Sequence, residues 1–493
     1  MALERRTFLT GTAAALAGGP FAGFVNAPAG ATRGRDRDRV KLVPVPDRRD
    51  GKVRLHLPRG FRYRSFHDTE APVTLEDGTR LPGRHDGMGA FRGKLRDDVV
   101  LVRNHELNNP APNTSETYTA FGGPSTPPPY DPAARGGTTT VLVDGHGHVD
   151  RAFTSLNGTM MNCSGGIMPW GSWITCEETV NGPDVGPDFT GASNKPLKKP
   201  HGYLFEVPAG GHSDREPITR AGRFAHEAVS FDPVRGHLYL TEDNFAFPSG
   251  FYRYKPRRNP MRTGYLDNEG TLQMLAVRGR PNAHLERHQR RGATYDVRWV
   301  DIDDPDPVFR RSGQPVTTTN DQALVYVGRQ GRAEGAARFS RLEGQVYDDN
   351  VVYFTSTQGG GRRMTGPDTV NGYGRGSGQV WAYHTRKRTL TCVYQSPGPK
   401  VLDFPDNVTT SPRGTIVVCE DNVNNNYLRG LSPRGRLWDI CLNRLKSATG
   451  QPRYDDEFAG STFSVDGETL FVNIQASRGM TFAIWGPWRR IGV

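Results

Sequence analysis

Asn162-Cys163-Ser164-Gly165-Gly166-Ile167-Met168-Pro169-Trp170-Gly171-Ser172-Trp173-Ile174-Thr175-Cys176-Glu177-Glu178 sets the pattern for the rest of the chain. A thiol follows a polar residue, a Gly-Gly pair bends the run, a Pro/Gly turn comes next, and a short apolar strand ends in two carboxylates. The second half of this pattern is a tight turn, then a strand of β-branched and aromatic residues, then an acid or amide. It recurs at 97–106, 232–244, 348–358, 411–422 and 466–475. Turn formers followed by β-branched runs read as strands. Repetition on this scale is the mark of a propeller with one unit per blade. The expected fold is therefore all-β: a six-bladed β-propeller with long decorated loops, seven blades being the rival count. The gap between 244 and 348 holds another strand candidate, Ala323–Val327, and a basic stretch, Arg280–Arg291, that reads as a short helix after Pro281.

The composition agrees. With 59 Gly and 37 Pro but no collagen period, many turns must join short strands. The stretches Asn108–Ala134 and Asn181–Pro200, rich in turn formers, read as long loops that shape a binding face. Beyond the N-terminus no run of 18 apolar residues appears, so no membrane span is expected in the mature protein.

The N-terminus is an address. Glu4-Arg5-Arg6-Thr7-Phe8-Leu9 is a twin-arginine pair, an Ala/Gly-rich apolar run follows to Val25, and Ala27-Pro28-Ala29 and Ala29-Gly30-Ala31 are cleavage candidates. Residues 1–31 are read as a signal peptide, 32–50 as a basic linker and 51–493 as one propeller domain. The implied address is periplasmic or secreted, reached through the twin-arginine machinery. The net charge of +11 suits a small anionic substrate. No nucleic-acid module is visible, so nucleic acid is not expected as a partner.

Of five Cys, Cys176 and Cys419 sit inside strands and read as buried apolar residues. Cys163 lies in a polar, flexible setting where a thiolate could ligate a redox or trivalent metal; a disulfide to Cys176 is the structural alternative. Acids at strand ends would form a ring at a propeller's mouth. Carboxylates forced together repel unless cations neutralise them, and an oxygen-rich ring suits calcium. Glu227, in Phe224-Ala225-His226-Glu227-Ala228, and Glu343, two residues after Arg341, do not read as turn formers. On an extended segment Arg341 and Glu343 point the same way, so the arginine could fork onto a phosphate while the carboxylate holds a metal.

Taken in order, the twin-arginine leader, Leu101-Val102-Arg103-Asn104-His105-Glu106, Asn162–Gly166 with Pro169–Glu178, Arg341-Leu342-Glu343-Gly344, Phe404-Pro405-Asp406-Asn407 and Leu470–Gln475 resemble the PhoX family of alkaline phosphatases. The resemblance implies a six-bladed propeller with two Fe3+ and several Ca2+ ions that hydrolyses phosphate monoesters, with diesters as further substrates. It implies Cys163 as iron ligand, Glu227 and Glu343 as iron-bridging glutamates, and Arg341 as the substrate-gripping residue. Asn104, Glu106, Glu178, Asp406 and Glu420 are the favoured calcium ligands. The catalytic pair is then Arg341 and Glu343 in a monomer acting on a small phosphate ester. The competing reading is a calcium-loaded propeller without phosphatase activity, either a binding module or a lactonase-like hydrolase.

Overall fold

Short strands dense in small and polar residues line the middle of the molecule: His85–Arg92, Asn162–Met168, His226–Asp232, Leu342–Asp348, Pro405–Thr410 and Glu457–Phe463. Each packs beside the next in that order, and the last packs beside the first, which closes a ring. The computed structural model describes residues 40–95, 97–108, 121–310 and 313–493. The twin-arginine leader, its cleavage candidates and residues 32–39 lie outside the described residues.

Each inner strand starts a sheet unit that runs outward through antiparallel neighbours. The first unit continues through Asp98–His105, Gly136–Asp144 and Val149–Thr159; the second through Ser172–Glu177 and Leu204–Pro208. The third continues through His237–Glu242, Phe251–Lys255, Thr271–Val277 and Thr294–Asp301. Its outer edge pairs with Thr389–Gln395, the outer strand of the fourth unit, whose middle strands are Val351–Ser356 and Gln379–His384. The fifth holds Ile416–Glu420, Tyr427–Leu431 and Leu437–Asn443; the sixth holds Thr469–Gln475 and Met480–Trp485.

The recurring turn-strand-acid stretches are the second strands of these units, not the innermost ones. Being sandwiched between sheets on both faces, they carry apolar residues on both faces along their middle, as buried strands do, and turn polar toward the end that meets the inner strands. Their alternate residues enter different cores. Leu101 packs with Phe471 and Ala483 of the sixth unit, while Val100 and Val102 pack with Trp173 and Phe205 of the second. Six such clusters each fill the gap between two successive units, so the core is divided around the ring.

The chain's beginning completes its end. Leu42–Pro46 and Val53–Pro58 extend the fifth unit, and Arg62–Phe66 adds the outer strand of the sixth by pairing with Met480–Trp485. Residues 42–46, taken from sequence as linker, are thus part of a sheet. Two other expectations change. Ala323–Val327 is not a strand: Asn320–Leu324 and Tyr326–Ala333 are helices, the first opened by a capping box between Thr319 and Gln322. Residues 280–291 form no helix but a turn-rich segment with isolated bridges.

Tyr63 ties this closure together. Its ring is fully buried and edge-on to Phe482, 5.7 Å between centroids. Its hydroxyl accepts from the Arg54 amide at 2.8 Å and donates to the Lys52 carbonyl at 3.2 Å. Tyr63→Ala should cost about 3–5 kcal/mol, the usual loss for a buried aromatic. Urea unfolding reads this; a loss below about 1 kcal/mol would mean that the N-terminal strand does not close the ring.

Candidate functional site

All six inner strands carry a β-bulge. The register with the second strand slips between His85 and Met88, Asn162 and Gly165, His226 and Val229, Leu342 and Gln345, Pro405 and Val408, and Ala459 and Thr462. A bulge leaves residues unpaired and re-aims their side chains. The first bulged residue is Asp86, Cys163, Glu227, Glu343, Asp406 and, in the sixth unit, Gly460. Five of the six are metal-ligating types. The residue after it is Gly, Ala or Ser in every unit but the fifth, where it is Asn407, because the inner strands nearly touch there: a Cβ on Gly344 would stand 2.7 Å from the Asn407 Cα.

A second layer comes from the residue just past each second strand: Glu106, Glu178, Asp243, Thr357 and Asp421 in units one to five. Strand alternation sends neighbouring side chains opposite ways, and that parity sorts each acidic pair. Glu177, Glu242 and Glu420 turn away. Glu177 accepts from the amides of Met160, Gly202 and Tyr203 and from His201. Glu242 accepts from the Gly250 amide and the Tyr252 hydroxyl, and burial raises its pKa to about 7. Glu420 sits 3.1 Å from Arg429 Nε and accepts from the Asp403 amide; burial raises it likewise to about 7.

Among the described residues three donor clusters result: Cys163, Glu178 and Glu227; Glu227, Glu343 and Asp406; Asp406, Asp421 and Glu457. Within each, the ligand-capable atoms lie within 4.8 Å of one another. Glu227 and Asp406 are shared, so the three join into one string that passes through units two to six. Burial, then the Glu227 and Glu178 carboxylates, raise the Cys163 thiol well above its ordinary pKa. A bound cation reverses that balance, since a coordinating thiol is deprotonated outright.

Arg341 lies against this string. Fully buried, it donates from Nε and Nη2 to the Asp243 carboxylate at 3.2 and 2.9 Å and from Nη2 to Glu343 Oε1 at 2.9 Å. Its backbone has φ +40°, a conformation rare outside glycine and concentrated at functional sites.

The structure therefore brings together Cys163, Glu178, Glu227, Glu343, Asp406 and Arg341. It places three sequence-read ligands otherwise. Asn104 gives its amide to the backbone: Nδ2 donates to the carbonyls of Cys163 at 3.1 Å and Ser164 at 2.7 Å, and Oδ1 accepts from Trp173 Nε1. It holds the bulge of the second unit in place, as Thr241 Oγ1 holds the Glu343 carbonyl and Thr355 Oγ1 the Asp406 carbonyl. Glu106 is paired with Arg84 Nη2 at 2.5 Å. Glu420 faces away, and its neighbour Asp421 joins the donors. Asp86 and Glu457 were not singled out from sequence, and Asp243 was read only as one of a strand-end acidic pair with Glu242. One signal was present: Arg84-His85-Asp86-Gly87 repeats the form of Arg341-Leu342-Glu343-Gly344. The disulfide alternative is not realised, as all five cysteines are free and buried.

A family model described as alkaline phosphatase PhoX matches residues 40–477, nearly the whole chain. The chain belongs to the PhoX family. No curated protein matches it in sequence. Solved structures similar to it include virginiamycin B lyase from Staphylococcus aureus, 11% identical over 86% of this chain and 99% of that one, TM-score 0.36. A gluconolactonase from Xanthomonas campestris is 11% identical over 92% and 99%, TM-score 0.37. Such likenesses are too slight to say anything of activity.

Beside the PhoX site, His201 anchors Glu177 and thereby the start of the Cys163 strand. Its Nδ1 lies 2.6 Å from Glu177 Oε1 and its Nε2 3.6 Å from Asp131 Oδ2, all three fully buried. Burial opposes the charged imidazole, but the two carboxylates prevail and raise its pKa to about 9 from 6.5. A pKa raised by folding gives stability that is complete below the unfolded value and is lost as pH rises through the folded one. The melting temperature should fall as pH passes through about 9, and the step should vanish in His201→Gln. An identical pH profile in the variant would contradict this account.

Proposed function

We propose that this PhoX-family chain is an exported, metal-dependent phosphatase that hydrolyses phosphate monoesters, with diesters as secondary substrates, at a site holding Fe3+ and Ca2+. The observation that carries the reading is the unbroken donor string with a buried arginine hydrogen-bonded to one of its members. The donors fit those ions. Cys163 and Glu227, with Glu343 as a further carboxylate, would hold ferric iron, and Glu178, read from the sequence as a calcium ligand, lies beside Cys163 and Glu227. The all-oxygen set Asp406, Asp421 and Glu457 suits calcium. A calcium-only module would need neither Cys163 nor Arg341.

Bound cations would supply the Lewis acidity that neutralises a phosphate dianion and its transition state. The chain's own residues do the rest. Glu343 lies between Arg341 and the shared donors Glu227 and Asp406, so it fixes the arginine relative to the cations. Arg341, clamped by Asp243 and held at φ +40°, would present a planar fork matched to phosphate oxygens. Apart from the half-buried Glu178 the members of the string are buried, which strengthens the charge interactions among them. The twin-arginine leader supports export to the periplasm or beyond as a folded, metal-loaded monomer, with the twin-arginine machinery as its partner.

Metal analysis of the mature protein should find iron and calcium, and chelation should abolish hydrolysis of 4-nitrophenyl phosphate. Glu343→Gln and Arg341→Ala should each lower kcat/KM roughly a hundredfold to a thousandfold, as losing one charge-stabilising group does elsewhere. Full activity without iron, or an unchanged Glu343→Gln, would refute the mechanism. Calcium without iron and no ester hydrolysis would favour the calcium-only module.

A further inference from the structure

The Arg341 device occurs twice. Arg84 immediately precedes the inner strand of the first unit, as Arg341 precedes that of the fourth. Both have positive φ, +49° and +40°. Both are followed two residues later by the bulged carboxylate, Asp86 or Glu343, and then by glycine. Both carbonyls accept from the residue that follows the second strand of their unit, from the Glu106 amide at 3.1 Å and the Thr357 amide at 2.9 Å. Both guanidiniums rest on a carboxylate of the inward layer, Arg84 on Glu106 and Arg341 on Asp243. In the order of the ring the two units are three apart in either direction, so the arginines come from opposite sides of the mouth.

They differ in depth. The Arg341 side chain is 1% exposed and that of Arg84 12%. Met161 and Phe404 occupy the matching positions of the second and fifth units with the same positive φ, so the backbone form belongs to the fold, whereas the arginine does not. Arg84 gives Nη2 to the Glu106 carboxylate and Nε to the Glu106 carbonyl at 2.9 Å, as Arg341 gives Nη2 and Nε to Asp243, so both planar forks are held from one side by the residue or unit beside them.

We propose that Arg84 is a second anion-binding residue of the same site, gripping a remote anionic group on the alcohol portion of the ester. The substrates favoured would be phosphate esters that carry a second phosphate or a carboxylate. Arg341 takes the reacting phosphate in the depth of the site and Arg84 takes the other group at the rim. This rests on the phosphatase reading above.

The test compares fructose 1,6-bisphosphate with fructose 6-phosphate on the metal-loaded protein. The ratio of their kcat/KM values should fall roughly tenfold in Arg84→Ala, the loss expected for one charge-assisted hydrogen bond. Arg84→Lys, which keeps the charge but not the fork, should recover part of it. An unchanged ratio in Arg84→Ala, or equal losses for both esters, overturns the inference and leaves Arg84 as the counter-ion of Glu106. If Arg84→Ala does not fold, Arg84→Lys carries the test alone, an unchanged ratio again overturning it. If the wild type hydrolyses neither these esters nor 4-nitrophenyl phosphate, the phosphatase reading fails by itself. Calorimetric affinities of the two esters for wild type and variant then decide the role of Arg84 separately, by the same ratio.

Discussion

Mutual repulsion among six carboxylates crowded with one thiol, all side chains of metal-ligating type, is the constraint that the structure is built to withstand. Cys163, Glu178, Glu227, Glu343, Asp406, Asp421 and Glu457 are held within a few ångströms of their neighbours, in surroundings where charge is weakly screened. No local element could keep them so. Cys163, Glu227, Glu343 and Asp406 stay because each stands on a bulge of a strand wedged between two others in a closed ring, and because peptides at the bulges are tied to the neighbouring unit; Glu178 and Asp421 follow second strands, and Glu457 opens the sixth inner strand. Asn104 binds the Cys163 carbonyl, Thr241 that of Glu343, Thr355 that of Asp406 and Asn473 that of Asp86. These ties all come from second strands, so the strands that carry the hydrophobic core also fix the polar centre.

That division explains what the sequence disclosed. The second strands, such as Val99–Val102 and Ile416–Cys419, announce themselves through β-branched runs after tight turns, and from them the propeller arrangement followed. The inner strands did not, since Asn162-Cys163-Ser164-Gly165-Gly166 or Glu457–Thr462 has too little apolar character to read as a strand. Their form is imposed by neighbours on both sides. Ala323–Val327 misled in the other direction. Its valine and tyrosine suggest a strand, but the Thr319 cap and packing against the third unit make it helical.

The site was legible to the same degree. Acids at strand ends pointed to a ring, and the PhoX resemblance singled out Cys163, Glu227, Arg341 and Glu343 among many candidates. Which member of each acidic pair turns inward depends on register, which no composition or spacing reveals; hence Glu420 was favoured where Asp421 faces the donors. Asp86 and Glu457 become meaningful only when the first and sixth units meet. That meeting depends on Arg62–Phe66, so the integrity of a centre gathered from residues 86 to 457 rests on a strand supplied near the chain's beginning.

The account stands or falls on whether one line of donors holds cations. Crystals of the metal-loaded mature protein, with anomalous diffraction recorded at the iron edge, test this most directly. Iron peaks should appear within bonding distance of Cys163 Sγ, Glu227 and Glu343, and calcium-like density within about 2.3–2.6 Å of Asp406, Asp421 and Glu457. Iron bound elsewhere, or a channel in which these side chains coordinate nothing, would contradict it.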